Sequence, residues 1–290
     1  MPEGPPPAPR LGRTGVWRFR WRGGPTWGWE DGLRLVGVVN VTPDSFTDGG
    51  RYLDPARAAE HALRLVAEGA DAVDVGAEST RPGHVPVPWQ EEWERLAPAL
   101  RRIRAEVAVP VSVDTRHAEV ARRALDAGAQ AVNDVSGLAD PAMVEVVARA
   151  GAAVVVGHWR PRRGAWRPRT VRRHLERARA VLLAAGVSPD AVALDPGLGF
   201  GKTGADNWRL LAHLGTLTGL GSAVMVGASR KRFAAALGGG GEGADEMTAF
   251  VTLWAALAGA AMARVHAPGP SARARAVARA LAEGRRDPGA

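Results

Sequence analysis

From residue 34 onward the apolar and polar positions of this chain repeat one unit. A short Val/Ala run is followed by a polar stretch, then by apolar residues at three- and four-residue spacing, then by a Gly-containing turn. The short runs predict strands at 34–40, 71–76, 110–115, 130–135, 152–158, 191–196, 222–228 and 260–266. The turns "AEGAD", "DAGAQ" and "ARAGAA" put Gly just past a helical stretch and directly before a strand, as a left-handed helix cap requires. Eight strand–helix units in about 250 residues predict an α/β fold, a single (β/α)8 TIM barrel, in preference to an open doubly wound sheet. Ahead of it, residues 16–33 alternate apolar and basic positions around Gly23-Gly24-Pro25, which predicts an N-terminal β-hairpin extension that closes one end of the barrel. Residues 1–15 are Pro/Gly-rich and expected to be disordered. The barrel domain is expected to run over 34–285.

The first predicted strand raises a chemical question. "RLVGVVN" is apolar until Asn40, and "VTPDSFTDGG" follows with hydroxyls and carboxylates. In this barrel the catalytic groups stand at the C-terminal ends of the strands. Polar or ionisable residues recur there: Asn40, the stretch from Asp74 to Glu78, Asp114, Asn133 with Asp134, His158, Asp195, Ser229 to Lys231, and Arg264 with His266. Any one of them could cap the following helix. Capping alone does not account for such groups at all eight ends.

Composition narrows the chemistry. The chain has 290 residues, of which 46% are hydrophobic, and no cysteine, so disulfides and thiolate metal ligands are excluded. No apolar run is long enough to span a bilayer and the N-terminus lacks a signal-peptide pattern, so a cytoplasmic protein is expected. The net charge of +8 comes almost wholly from arginine; only two lysines, Lys202 and Lys231, and three asparagines, Asn40, Asn133 and Asn207, occur. Where arginine is used nearly everywhere, a lysine marks a place for a compact, rotatable ammonium. "RPRRGAWRPRTVRR", residues 160–173, holds seven arginines and no acid. It reads as a solvated loop running into a helix rather than a nucleic-acid patch, and neither nucleic acid nor membrane is an expected partner.

The strand-end residues sort into two groups. Asp114, Asn133, Asp195 and Lys231 supply two carboxylates, an amide and an ammonium, which suit the donor edge and a ring carbonyl or nitrogen of a flat, nitrogen-rich heterocycle. Asn40, Thr80, Arg81, Ser229, Arg264 and His266 suit phosphate oxygens, and Asn40 could lend an amide oxygen to a Mg²⁺ riding on them. "PGLGFGKTG" resembles a phosphate-binding P-loop but has Pro196 where that motif needs Gly. Its glycines instead let backbone approach a flat ligand, with Phe200 available to stack on it.

The motifs "NVTPDSFTDGG", "GAESTRPG", "SVDT", "VNDVSG", "LDPGLGFGK", "VGASRKRF" and "RVH", in this order across residues 35–266, resemble those of the dihydropteroate synthases. The resemblance implies condensation of 6-hydroxymethyl-7,8-dihydropterin pyrophosphate with p-aminobenzoate, giving dihydropteroate and pyrophosphate. It implies that Asp114, Asn133, Asp195 and Lys231 hold the pterin, and that Asn40, Arg264 and His266 hold pyrophosphate and Mg²⁺. Thr80, Arg81 and Pro82, with Pro43 and Asp44, would shape the p-aminobenzoate site, and a homodimer built on the last helices is expected. Two positions depart from the family pattern: Gly157 stands where Met is usual, removing a side chain that would pack on the pterin, and Ala267 stands where Asp is usual. They leave an alternative, a catalytically weakened relative that binds a pterin or a partner.

Overall fold

The computed structural model describes residues 16–42, 54–78, 86–159, 166–238 and 242–284. Two short strands, β1 (Arg18–Arg20) and β2 (Thr26–Gly28), form the antiparallel N-terminal hairpin. Eight parallel strands follow and close into a barrel. They are β3 (Arg34–Asn40), β4 (Ala72–Gly76), β5 (Val111–Asp114), β6 (Ala131–Asp134), β7 (Ala153–Gly157), β8 (Val192–Asp195), β9 (Ala223–Val226) and β10 (Met262–Val265). Each pairs with its sequence neighbours, and β10 closes the ring against β3. All eight predicted strands are present, most of them trimmed by a residue or two at the ends, where side-chain pattern and backbone pairing part company.

Helices fill the connections. The first five are α1 (Pro55–Ala67), α2 (Trp89–Glu106), α3 (Ala118–Asp126), α4 (Ala142–Ala150) and α5 (Pro168–Ala184). Two helices, α6 (Gly204–Ala212) and α7 (Gly215–Thr218), cross from β8 to β9, and two more, α8 (Arg232–Ala235) and α9 (Glu242–Leu257), cross from β9 to β10. The last is α10 (Pro268–Gly284). Their starts are written in the sequence: Asp54 caps α1 by accepting from the Ala56 N–H at 2.9 Å, and Thr203 and Asp206 form a capping box on α6. The predicted end glycines Gly69, Gly128 and Gly151 all have positive φ. Buried stripes such as Leu96, Leu100 and Ile103 of α2, or Leu175 and Leu182 of α5, pack on the Val/Ala barrel wall. No described helix is long and apolar enough to cross a membrane.

The hairpin lies at the N-terminal end of the barrel. The Arg22 N–H donates to the Gln130 carbonyl just before β6, and Arg20 pairs with Asp190 just before β8. Trp17, Phe19, Trp21 and Trp27 are buried in the core there, with Phe19–Trp21 and Trp21–Trp27 meeting edge to face at 5.3 and 5.1 Å. The expected closure of one end is what these contacts produce, and the opposite end is left to the strand C-termini.

Candidate active site

Strand register brings the polar ends together. Asn40 pairs with Gly76, Gly76 with Asp114, and Asp114 with Asn133 on successive strands, while Gly157 pairs with Asp195. One layer deeper, Asp74 is level with Ser112. Arg264 of β10 reaches across, donating from Nε to Asp74 Oδ2 at 2.6 Å and from Nη2 to Asp114 Oδ2 at 2.8 Å. Ser112 Oγ donates to Asp74 Oδ1 at 2.6 Å and Asn133 Nδ2 to Asp74 Oδ2 at 2.9 Å.

Asp195, Lys231 and Arg264 converge over Gly227. A Cβ placed on Gly227 would stand 3.7 Å from Lys231 Nζ and 3.9 Å from both Asp195 Oδ2 and Arg264 Cβ. Lys231 also donates to the Leu198 carbonyl, and its ammonium lies 4.3 Å from the centre of the Phe200 ring. Phe200, expected to stack on a heterocycle, therefore stacks on the ammonium that the sequence assigned to the same heterocycle. Asp195 in turn accepts from the Gly197 N–H at 2.6 Å.

Ser229 and His266 form the next pair. Ser229 Oγ accepts from the His266 N–H at 3.1 Å and lies 2.9 Å from Nδ1. Ser229 thus holds both the backbone and the ring of His266 at the end of β10.

Burial sets the electrostatics. It pushes Asp114 up to about 7, a rise that Asp74 adds to and Arg264 opposes. It raises Asp195 as well, against the Lys231 charge. Burial pulls Lys231 down to about 8, and Asp195 resists the fall. Asp114 and Lys231 are thus balanced near neutrality, a property common among groups that act on a ligand.

The two predicted groups meet at Arg264. Arg264, assigned to phosphate, is seated between Asp74 and Asp114, because a long guanidinium stem from β10 crosses to the buried acids of β4 and β5. Asn40 is placed by register beside this cluster and is half-buried. Pro43, Asp44, Thr80, Arg81 and Pro82 lie outside the described residues.

Three features escaped the sequence reading. Lys202 is a half-buried tripod: Nζ donates to the carbonyls of His158, Gly197 and Phe200 at 3.0, 2.7 and 3.1 Å, tying the end of β7 to the loop after β8. Burial draws it down to about 7. Its rarity in an arginine-rich chain was the available signal. Glu78 accepts from Arg116 Nε and Nη2 at 2.9 and 2.8 Å and from the Val87 N–H at 3.3 Å, pinning the ends of the loop after β4 beside Asp114. Behind it, Glu92 and His117 Nδ1 approach to 2.6 Å. Ligand atoms of Glu78, Glu92 and His117 lie within 4.8 Å of one another, but Arg116 already occupies both oxygens of Glu78, so this is an ion-pair network tying α2 and α3 to the barrel.

The two family departures have local reasons. A Cβ on Gly157 would come within 2.8 Å of the Val135 Cα and carbonyl oxygen, so the backbone leaves no room for a side chain. Ala267 immediately precedes α10, where an Asp would act as helix cap.

A closed parallel barrel with buried acids, an amide, an ammonium and a guanidinium gathered at its C-terminal mouth defines a ligand-binding (β/α)8 enzyme. The sequence profile of the family "Pterin binding enzyme" matches residues 36–266, and the chain belongs to that family. Its similarity lies with the dihydropteroate synthases. That of Mycobacterium leprae (strain TN) is 47% identical over 252 residues, covering 81% of this chain and 88% of its own length. The Xanthomonas albilineans dihydropteroate synthase, solved with 4-aminobenzoic acid, superposes with a TM-score of 0.86 at 40% identity over 92% of this chain and 98% of that one. The Thermus thermophilus enzyme, solved in complex with 6HMPPP, gives a TM-score of 0.78 at 40% identity, over 91% and 99% of the two chains.

Proposed function

We infer that this chain is a dihydropteroate synthase, a transferase of folate synthesis that joins 6-hydroxymethyl-7,8-dihydropterin pyrophosphate to p-aminobenzoate and releases pyrophosphate. The observation that carries the reading is the convergence of Asp195, Lys231 and Arg264 over Gly227, with Arg264 linking them to Asp114. It occurs within the segment that matches the pterin-binding family.

The chain's own groups account for the steps. Asp114, Asn133 and Asp195 accept from the donor edge of the pterin, and Lys231 donates to its carbonyl or ring nitrogen. Arg264 and the imidazole of His266 stabilise charge on the departing pyrophosphate. The bond to the pterin methylene breaks first, and the positive charge left on the dihydropterin is offset by Asp114. The aromatic amine then attacks the methylene carbon and releases a proton to solvent, and no enzyme nucleophile takes part. Of the assigned groups, Asn40, half-buried at the end of β3, would hold Mg²⁺ through its amide oxygen, a hard donor of the kind this ion takes. When bound, the ion neutralises charge on the leaving group.

A homodimer is part of this proposal. Phe250 on α9 is 60% exposed, and Val277 and Leu281 on the adjoining α10 are also exposed. A cytoplasmic setting accompanies it.

The test is direct. Purified protein with Mg²⁺ makes dihydropteroate from the two substrates, and Asp195→Ala or Lys231→Ala loses most of that activity. Each substitution strands a buried charge, which weakens pterin binding by at least about tenfold. Turnover no better than a heat-killed control would overturn the reading in favour of a weakened relative that only binds.

A further inference from the structure

Asp74 lies one layer below the groups assigned to the ligand and is 1% exposed. Three donors converge on it: Ser112 Oγ, Asn133 Nδ2 and Arg264 Nε, at 2.6, 2.9 and 2.6 Å. A carboxylate paired with a guanidinium accepts and does not donate, so only the NH₂ end of the Asn133 amide can face it. The other end, Asn133 Oδ1, is buried and has no hydrogen-bond partner among the described residues. Native proteins rarely leave a buried acceptor unpaired, and an unpaired one at a strand end of this barrel is an acceptor held ready for a ligand.

We propose that Asp74 is a specificity-determining positioning residue: by holding the NH₂ of Asn133 it fixes that amide as an acceptor, so the site requires a hydrogen-bond donor on the heterocycle. The inference rests on the pterin reading of the site and deepens it. Without Asp74 the Asn133 amide can turn over and serve donor or acceptor alike, and discrimination between two heterocycles that differ at one edge group falls. A site built around a fixed polar group rejects the mismatched analogue because that group is then left unpaired.

The experiment compares, by calorimetry on the full chain, the binding of 6-hydroxymethylpterin and of the corresponding lumazine, in which a carbonyl replaces the 2-amino group. The wild-type chain prefers the pterin. Asp74→Asn, whose own amide can donate to Asn133 Oδ1, lowers that preference by roughly tenfold or more. Ser112→Ala removes a hydroxyl from the other oxygen of Asp74, leaves the Asn133 contact intact, and retains the preference. A second measurement needs no variant. With asparagine selectively labelled with ¹⁵N, three side-chain amides report, and that of Asn133 stays slow to exchange with solvent and keeps its resonance position when pterin is added. A large shift of that NH₂ on pterin binding would mean that Asn133 turns its donor to the ligand, and would overturn the proposal. So would an unchanged preference in Asp74→Asn. A wild-type chain that binds no pterin would overturn the functional reading itself.

Discussion

Asp114 and Lys231 make the pH response of the site readable. Burial holds Asp114 near 7, so the accepting carboxylate forms as pH rises through 7. Lys231 is held near 8, so its ammonium is lost as pH rises beyond 8. Both charged forms coexist between these values, and pterin binding is expected to follow a narrow bell with limbs near 7 and 8. The groups facing Asp114 are Arg264, which lowers its pKa, and Asp74, Glu92 and Asp134, which raise it. Removing the guanidinium in Arg264→Gln therefore moves the acid limb to higher pH, and titrating pterin affinity from mildly acidic to alkaline pH measures it. An acid limb that stays in place would mean that Arg264 does not control Asp114. At this scale the sequence showed which residue types were present but not which atoms they spend on one another. Asn133 and Asp195 were singled out because they stand at or next to the last residue of a strand, the end where this barrel gathers its functional groups. The reach of Arg264 could not be read, since a flexible stem spans several strands and leaves no periodic trace. Lys202 stood out by its rarity, but its tripod role was not legible because its partners are backbone carbonyls, which any residue supplies.

The strands were legible because Val/Ala runs bounded by glycine turns leave few alternatives, and the helix ends because Gly69, Gly128 and Gly151 need a backbone conformation that other residues resist. Not legible was the way elements are fastened to each other. Glu78 and Arg116 sit 38 positions apart and join the ends of β4 and β5 through two oxygens. Glu78→Ala is expected to cost about 1.5–3 kcal/mol in a urea melt, the range for hydrogen bonds to charged groups. The residue ahead of α10 offers the opposite change. Ala267→Asp supplies an acceptor to the first turn, whose Pro268 is already suited to the first helical position, and is expected to add about 1 kcal/mol. Thermal unfolding shows this as a raised Tm, with turnover unchanged. A loss of activity there would mean that position 267 serves the substrate rather than the helix.

The whole molecule keeps its two ends distinct. The order of strands around the barrel follows their order in the sequence, so the eight-unit repeat was enough to predict the closed ring. The hairpin was legible as a hairpin, but its depth of burial was not, because three of its four buried aromatic side chains alternate with arginines that suggest a solvated ribbon. Trp21→Ala removes a side chain only 2% exposed and is expected to cost about 3–5 kcal/mol while leaving pterin affinity intact. Phe250→Glu is the corresponding test of the proposed assembly: sedimentation is expected to show a dimer for the wild-type chain and monomers for the variant. The aromatic seal at the N-terminal face has a consequence for how such a protein changes over time. A substitution at the mouth that alters ligand preference and weakens the fold can be offset by tighter packing at the base, since none of the four hairpin aromatics is among the groups assigned to the ligand. The base can thus act as a reserve of stability from which new chemistry at the mouth can be explored.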